Sequence, residues 1–140
     1  MWNLSRRSFR RMNGTKSIVV AINVEGIKDA PVDYGIAWKG GLRLVEVQQS
    51  LFKIGRRGVS GEKTVTNCDG VTDISDHQEG KAWDIFVIIN GKISQKLEDI
   101  EPVARHIIKV AKEKFGITVK WGGDWNNPDP PHLYIVDERY

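Results

Sequence analysis

Ala82-Trp83-Asp84-Ile85-Phe86-Val87-Ile88-Ile89-Asn90-Gly91 is strongly apolar, rich in β-branched and aromatic residues, and ends on Asn-Gly. Such a run reads as a core strand, and Asn90-Gly91 as the two-residue turn of a hairpin. Working outward toward the C-terminus, residues 97–115 predict a helix. Ile100, Val103, Ala104, Ile107, Ile108 and Ala111 form its core stripe, and Gly116 is its C-terminal cap. Residues 118–121 and 132–136 close the chain as two further strands.

Toward the N-terminus, residues 32–38 read as a strand followed by a turn at Lys39-Gly40-Gly41. Residues 5–12 predict a short helix broken at Asn13-Gly14. Residues 16–28 predict a second, with Ile18, Val19, Ile22 and Ile27 on its apolar side and Asp29-Ala30-Pro31 as its stop. Leu44, Val47, Gln48, Leu51 and Phe52 share one helical face ended by Gly55. Residues 58–75 are polar and Gly-containing, a long loop with a short strand at 64–66. Helices interleaved with hairpin-type strands make the class α+β: a small, mostly antiparallel sheet packed with helices.

The chain has 140 residues, 40% of them hydrophobic and 28% charged, the balance of one ordinary globular domain over 1–140. Its one cysteine, Cys68, excludes an intrachain disulfide and reads as a small buried thiol, so packing must hold the fold, helped by any bound metal. The net charge of +3 suits an anionic partner without choosing among nucleic acid, membrane surface and wall polymer. Arg6, Arg7, Arg10 and Arg11 carry much of it, either as a solvated helix face or as a contact with an anionic envelope. No stretch approaches the roughly 20 apolar residues of a membrane span, so stable insertion is not expected. No apolar segment follows the basic N-terminus, so no secretory signal is expected either.

The chemistry concentrates in two places. In Ser75-Asp76-His77-Gln78-Glu79-Gly80-Lys81-Ala82-Trp83-Asp84, an imidazole and a carboxylate flank a glycine-containing loop. Both groups are good zinc ligands. A carboxylate at the mouth of an apolar strand is costly unless paired or metal-bound, which favours Asp84; a surface histidine and a turn-capping aspartate is the bland alternative. In Asp129-Pro130-Pro131-His132 the prolines predict local extension. Polyproline geometry, at about 3.1 Å per residue, would set Asp129 and His132 on one side roughly 9 Å apart. That suits a metal ligand and a base across a bound water; a rigid surface turn is the alternative. His106, inside the long helix, reads as structural. The His-Glu-x-x-His zinc motif is absent.

Ser75-x-His77-x-x-Gly80-x-Ala82-x-Asp84 with Asp129-x-x-His132 resembles the zinc D,D-carboxypeptidase (VanY-like) superfamily, and within it the L-alanyl-D-glutamate peptidases of phage endolysins and bacterial wall hydrolases. Further matches run through Leu4-Ser5-x-Arg7-Ser8, Asp33-Tyr34 through Gly41-Leu42-Arg43, Glu46 through Gly55-Arg56, and Trp121-Gly122-Gly123-Asp124-Trp125. Departures fall at Thr15-Lys16, where the family commonly has His-Pro, at Leu44, where it usually has Ser or Thr, and at Val47 and Gln49 in its usually polar helix.

The resemblance implies a hedgehog/D,D-peptidase-like fold and one Zn2+ held by His77, Asp84 and His132, with Asp129 as general base. It implies that Arg43 either stabilises the developing oxyanion or grips a substrate carboxylate. Ser75, Gln48 and Trp125 fall to positions around the ligands or the substrate. The implied substrate is the peptidoglycan stem peptide, cut between L-alanine and D-glutamate. The implied protein is a monomeric lysin without a separate wall-binding domain, made in the host cytoplasm, released with a holin-type pore partner and acting in the periplasm or wall; nucleic acid is not an expected partner. A D-alanyl-D-alanine carboxypeptidase and a non-catalytic, zinc-stabilised wall-binding module are the two alternatives.

Overall fold

The computed structural model describes residues 1–38, 40–41, 49, 53–56, 58, 60–64, 77, 79–137 and 139–140. Among the described residues the helices with defined bounds are α1 (Arg6–Arg11), α2 (Ser17–Lys28) and α3 (Leu97–Phe115); the strands are β1 (Tyr34–Ile36), β2 (Ala82–Ile89), β3 (Lys92–Ser94), β4 (Val119–Trp121) and β5 (His132–Ile135). Every strand pairing among them is antiparallel, in the order β1-β2-β5-β4, with β3 also on β2. The expected α+β class holds. The helix expected along Leu44 to Phe52, the loop strand at 64–66 and Cys68 lie largely or wholly outside the described residues.

β2 is the spine. Its N-terminal half pairs with β5 and its C-terminal half with β1 and β3. Asn90 and Gly91 both take positive φ, 52° and 76°, as the β2–β3 turn requires. Because side chains alternate along a strand, Trp83, Ile85 and Val87 enter the core at 0% exposure, while Asp84, Phe86 and Ile88 face the other way. β5 does the same: Leu133 and Ile135 are core, His132 and Tyr134 are not on that face.

The core face of the sheet packs on α3, whose buried residues are Ile100, Val103, Ala104, Ile107, Val110 and Ala111. Val110 takes the place expected of Ile108, which is only half-buried, a small rotation of the stripe. α2 packs beside α3, and His106 donates from Nε2 to the Gly26 carbonyl at 2.8 Å, the structural role expected of it. α1 lies on β1. Ser5 caps α1 by accepting from the Ser8 N–H at 3.1 Å, and the buried Ser8 hydroxyl accepts from the Ile36 N–H at 3.0 Å. The strand expected over 32–38 is only three residues long, because beyond Ile36 the chain turns to bond Asp84 through Ala37 and Gly40.

Candidate metal centre

Two of the three expected ligands are a cross-strand pair. Asp84 on β2 stands opposite His132 on β5, both off the core face, so their side chains are neighbours by register alone. His77 arrives from the turn before β2, closed by the Gly80 N–H on the His77 carbonyl at 3.3 Å and tied to the start of α2 by Lys16 N–H on Gly80 O at 2.9 Å.

The donor atoms converge. His77 Nε2 lies 3.1 Å from His132 Nδ1 and 3.3 Å from Asp84 Oδ1, and His132 Nδ1 lies 3.1 Å from Asp84 Oδ1. The other nitrogen of His77, Nδ1, faces the Gly41 carbonyl at 2.9 Å. A carbonyl only accepts, so Nδ1 carries a hydrogen; the neutral ring then presents its Nε2 lone pair inward to an ion, whereas the doubly protonated ring donates from Nε2 to Asp84. Ligands at about 2.0–2.1 Å around a tetrahedral ion stand about 3.3 Å apart. The observed spacings fit one such ion held by His77, Asp84 and His132, a group of three with metal-binding geometry. The imidazoles are buried and the carboxylate nearly so. Burial alone pushes the Asp84 carboxyl up, but hydrogen bonds from His132 and His77, with their charge, outweigh it and hold it well below the usual carboxylate range. Asp84 is therefore an anion wherever the site works.

Asp129 lies on an exposed turn that leads into β5. The turn is not the extended polyproline segment predicted from Pro130 and Pro131. The His132 N–H closes back on the Asp129 carbonyl at 3.2 Å. Backbone bonds from elsewhere fix it: Asp129 N–H to Gly122 O at 3.0 Å, Ile85 N–H to Pro131 O at 2.9 Å, and the Trp121 indole N–H to Pro130 O at 2.6 Å. The Arg105 guanidinium sits 5.0 Å over the Trp121 ring and pairs with Asp124, bracing the 3-10 turn Gly122–Asp124 against α3. Asp129 thus stands beside His132 on a rigid support rather than a stiff rod.

The phage L-alanyl-D-glutamate peptidase profile matches residues 1–135. The chain belongs to that family. It is a peptidase of the L-alanyl-D-glutamate class. Its fold is similar to the crystal structure of the Serratia marcescens L-Ala D-Glu endopeptidase ChiX, at 24% identity and a TM-score of 0.74, covering 96% of this chain and 90% of that one. No protein of curated function matches the sequence.

Against that family membership, the expected residues divide into three groups. His77, Asp84 and His132 come together. Asp129 and Trp125 lie next to them: the Trp125 ring is 5.2 Å from that of His132 and its N–H donates to the Tyr134 hydroxyl at 3.2 Å, forming a half-open aromatic rim. Arg43, Gln48 and Ser75 lie outside the described residues.

Three glycines shape the site: Gly40 and Gly41, which read in the sequence only as a turn, and Gly122, whose pairing with Gly123 reads as room for a close backbone approach. Gly40 accepts from the Asp84 N–H at 2.7 Å, and Gly41 aims His77. A Cβ on Gly41 would stand 2.0 Å from the Arg11 carbonyl oxygen, so only glycine lets the backbone come this close. Gly122 is equally confined. A Cβ there would meet Asp129 O at 2.6 Å and His132 Cβ at 3.1 Å, neither of which is a flexible side-chain end. Gly122→Ala is accordingly expected to push the 129–132 turn outward and weaken metal affinity about 10- to 100-fold, as loss of ligand-orienting contacts does. Competition against a chromophoric chelator measures this; unchanged affinity would show that the turn tolerates the shift.

Proposed function

We propose that this chain is a zinc-dependent endopeptidase that cuts the L-alanyl–D-glutamate bond of peptidoglycan stem peptides, working as a phage or prophage endolysin. The observation that carries the reading is the convergence of one carboxylate and two imidazole donors at 3.1–3.3 Å, with Asp129 three residues before the last of them. Two histidines and one carboxylate, with a coordination position left for substrate, are a donor set suited to catalytic zinc.

Zinc bound there supplies Lewis-acid polarisation of the scissile carbonyl and acidifies water. His77 and Asp84, fixed by Gly41 and Gly40, set the orientation of that centre. The Asp129 carboxylate takes the proton of the attacking water and returns it to the leaving D-glutamyl amine. Arg43 either stabilises the oxyanion or grips a substrate carboxylate. Trp125 offers an aromatic wall to the peptide, with Ser75 and Gln48 around the ligands or the substrate. The 140 residues act as one catalytic domain and as a monomer. No described helix is long and apolar enough to cross a membrane. A pore-forming, holin-type partner releases the enzyme from the host cytoplasm to the wall.

Purified peptidoglycan digested with and without chelator, with fragments read by mass spectrometry, is the test. New N-terminal D-glutamate that disappears with chelator is the expected result. Release of D-alanine alone would make the protein a D,D-carboxypeptidase, and binding without any cleavage would make it a wall-binding module.

A further inference from the structure

A cavity of about 560 Å³ opens between α1 and the outward face of β2 and β3. Arg6, Arg7 and Arg11 line one side; Trp38 and Phe86 form apolar walls; Gln95 closes the end. Among the described residues that line it there is no carboxylate. Among the described residues, none of the three arginines makes an ion pair, and Arg11 donates to the Ile36 carbonyl at 2.8 Å. Three guanidinium groups concentrated around one concavity make a site for anionic groups, and the planar fork of arginine matches carboxylates in particular.

The cavity is joined to the metal centre by the chain itself. Phe86 follows Asp84 on the same face of β2, about 7 Å along at roughly 3.3 Å per residue. Ala37, also on the lining, bonds through its N–H to the Asp84 carbonyl at 2.9 Å. The backbone carbonyl of Arg11 stands against Gly41, whose own carbonyl aims His77. The Phe86 edge of the cavity is therefore within reach of a peptide that lies with its scissile bond at the metal centre and extends a residue or two beyond it.

We propose that this cavity binds the carboxylates on the D-glutamate side of the scissile bond. It rests on cleavage of the L-alanyl–D-glutamate bond. Glutamate joined there through its amine still carries two carboxyl functions, and onward linkage occupies at most one of them. The free one falls at the near edge of the cavity, and the apolar walls accept the methylenes between carboxyl groups. The cavity thus selects acidic stem peptides over those whose carboxyls are amidated.

The test uses two synthetic stem peptides, one with free carboxylates and one with the same carboxyls amidated, against wild type and the Arg6→Ala/Arg7→Ala double variant. Arg11 is left in place because it holds the Ile36 carbonyl. Half-open ion pairs of this kind are expected to give the wild type about a fivefold lower KM for the acidic peptide. The double variant loses that preference by a KM increase on the acidic peptide alone, with kcat and the amidated substrate unchanged. Equal loss on both peptides, or no change on either, overturns the proposal. So does a variant that keeps the preference but no longer binds phosphatidylglycerol vesicles, since the arginines then serve a membrane surface. If the wild type cleaves neither peptide, the cleavage reading fails by itself. Equilibrium titration of the same peptides then decides the cavity: tighter binding of the acidic form, lost in the double variant, sustains it, and equal binding sinks it.

Discussion

Asp129→Ala is expected to abolish nearly all turnover while leaving the protein folded and metal-loaded. A positioned general base contributes about 10²- to 10⁴-fold, and kcat should fall by that factor. Stability should barely move. Residue Asp129 is exposed, and the turn that carries it is held through its backbone: the Asp129 N–H donates to Gly122 O, the His132 N–H to Asp129 O, the Trp121 indole N–H to Pro130 O and the Ile85 N–H to Pro131 O. None of these bonds uses the carboxylate. Truncation therefore removes the proton acceptor while these backbone bonds to the His132 turn remain. Metal content by elemental analysis, the thermal midpoint and single-turnover cleavage of a stem peptide, measured together, separate the two effects. A variant that cleaves normally would remove Asp129 from the chemistry. One that loses metal along with activity would make it a support of the site rather than its base.

How far the sequence carried depended on whether the deciding forces were local. The long helix was legible from its period because a single stripe of aliphatic residues faces the sheet. β2 and its hairpin were legible because an apolar run ends on Asn90-Gly91, where two successive positive φ angles are needed. Asp84 could be singled out because a carboxylate beside Trp83 and Ile85 demands a partner, and the strand alternation that buries those two turns Asp84 toward His132. The conformation of 129–132 was not legible. Two prolines restrict their own φ and favour extension, but the bonds that shape the turn come from Gly122, Trp121 and Ile85. Long-range backbone partners overrode a local preference. Gly41 was equally hidden. Its role is to stand against Arg11 and offer a carbonyl to His77, 36 residues away, and a Gly-Gly pair read locally is only a turn.

Removing the metal is the larger perturbation, and acid should do it in two stages. A ligand bound only by the native state stabilises it by RT ln(1 + [L]/Kd), about 4 kcal/mol at a thousandfold excess over Kd. Ligating groups must be deprotonated to hold the ion, so protons compete with it as pH falls. As the ion leaves, the loaded protein should lose activity, metal and that stabilisation together.

The metal-free protein should then hold through a second window. Asp84 has a folded-state pKa depressed below its unfolded value, because hydrogen bonds from His132 and His77 outweigh burial. A depressed carboxyl contributes stability above the unfolded pKa, near about 4, and loses it as pH falls through the lower folded value. Chelator at neutral pH should erase the first stage and leave the second. His77→Ala should behave like the chelated protein in activity and be unresponsive to added zinc. Asp84→Ala should lose both stages, because it removes a ligand and the carboxylate that answers the two imidazoles. Thermal midpoints against pH, with and without chelator, decide the matter. Coincident curves for wild type with and without zinc would mean that His77, Asp84 and His132 stabilise the fold as a hydrogen-bonded cluster and hold no ion.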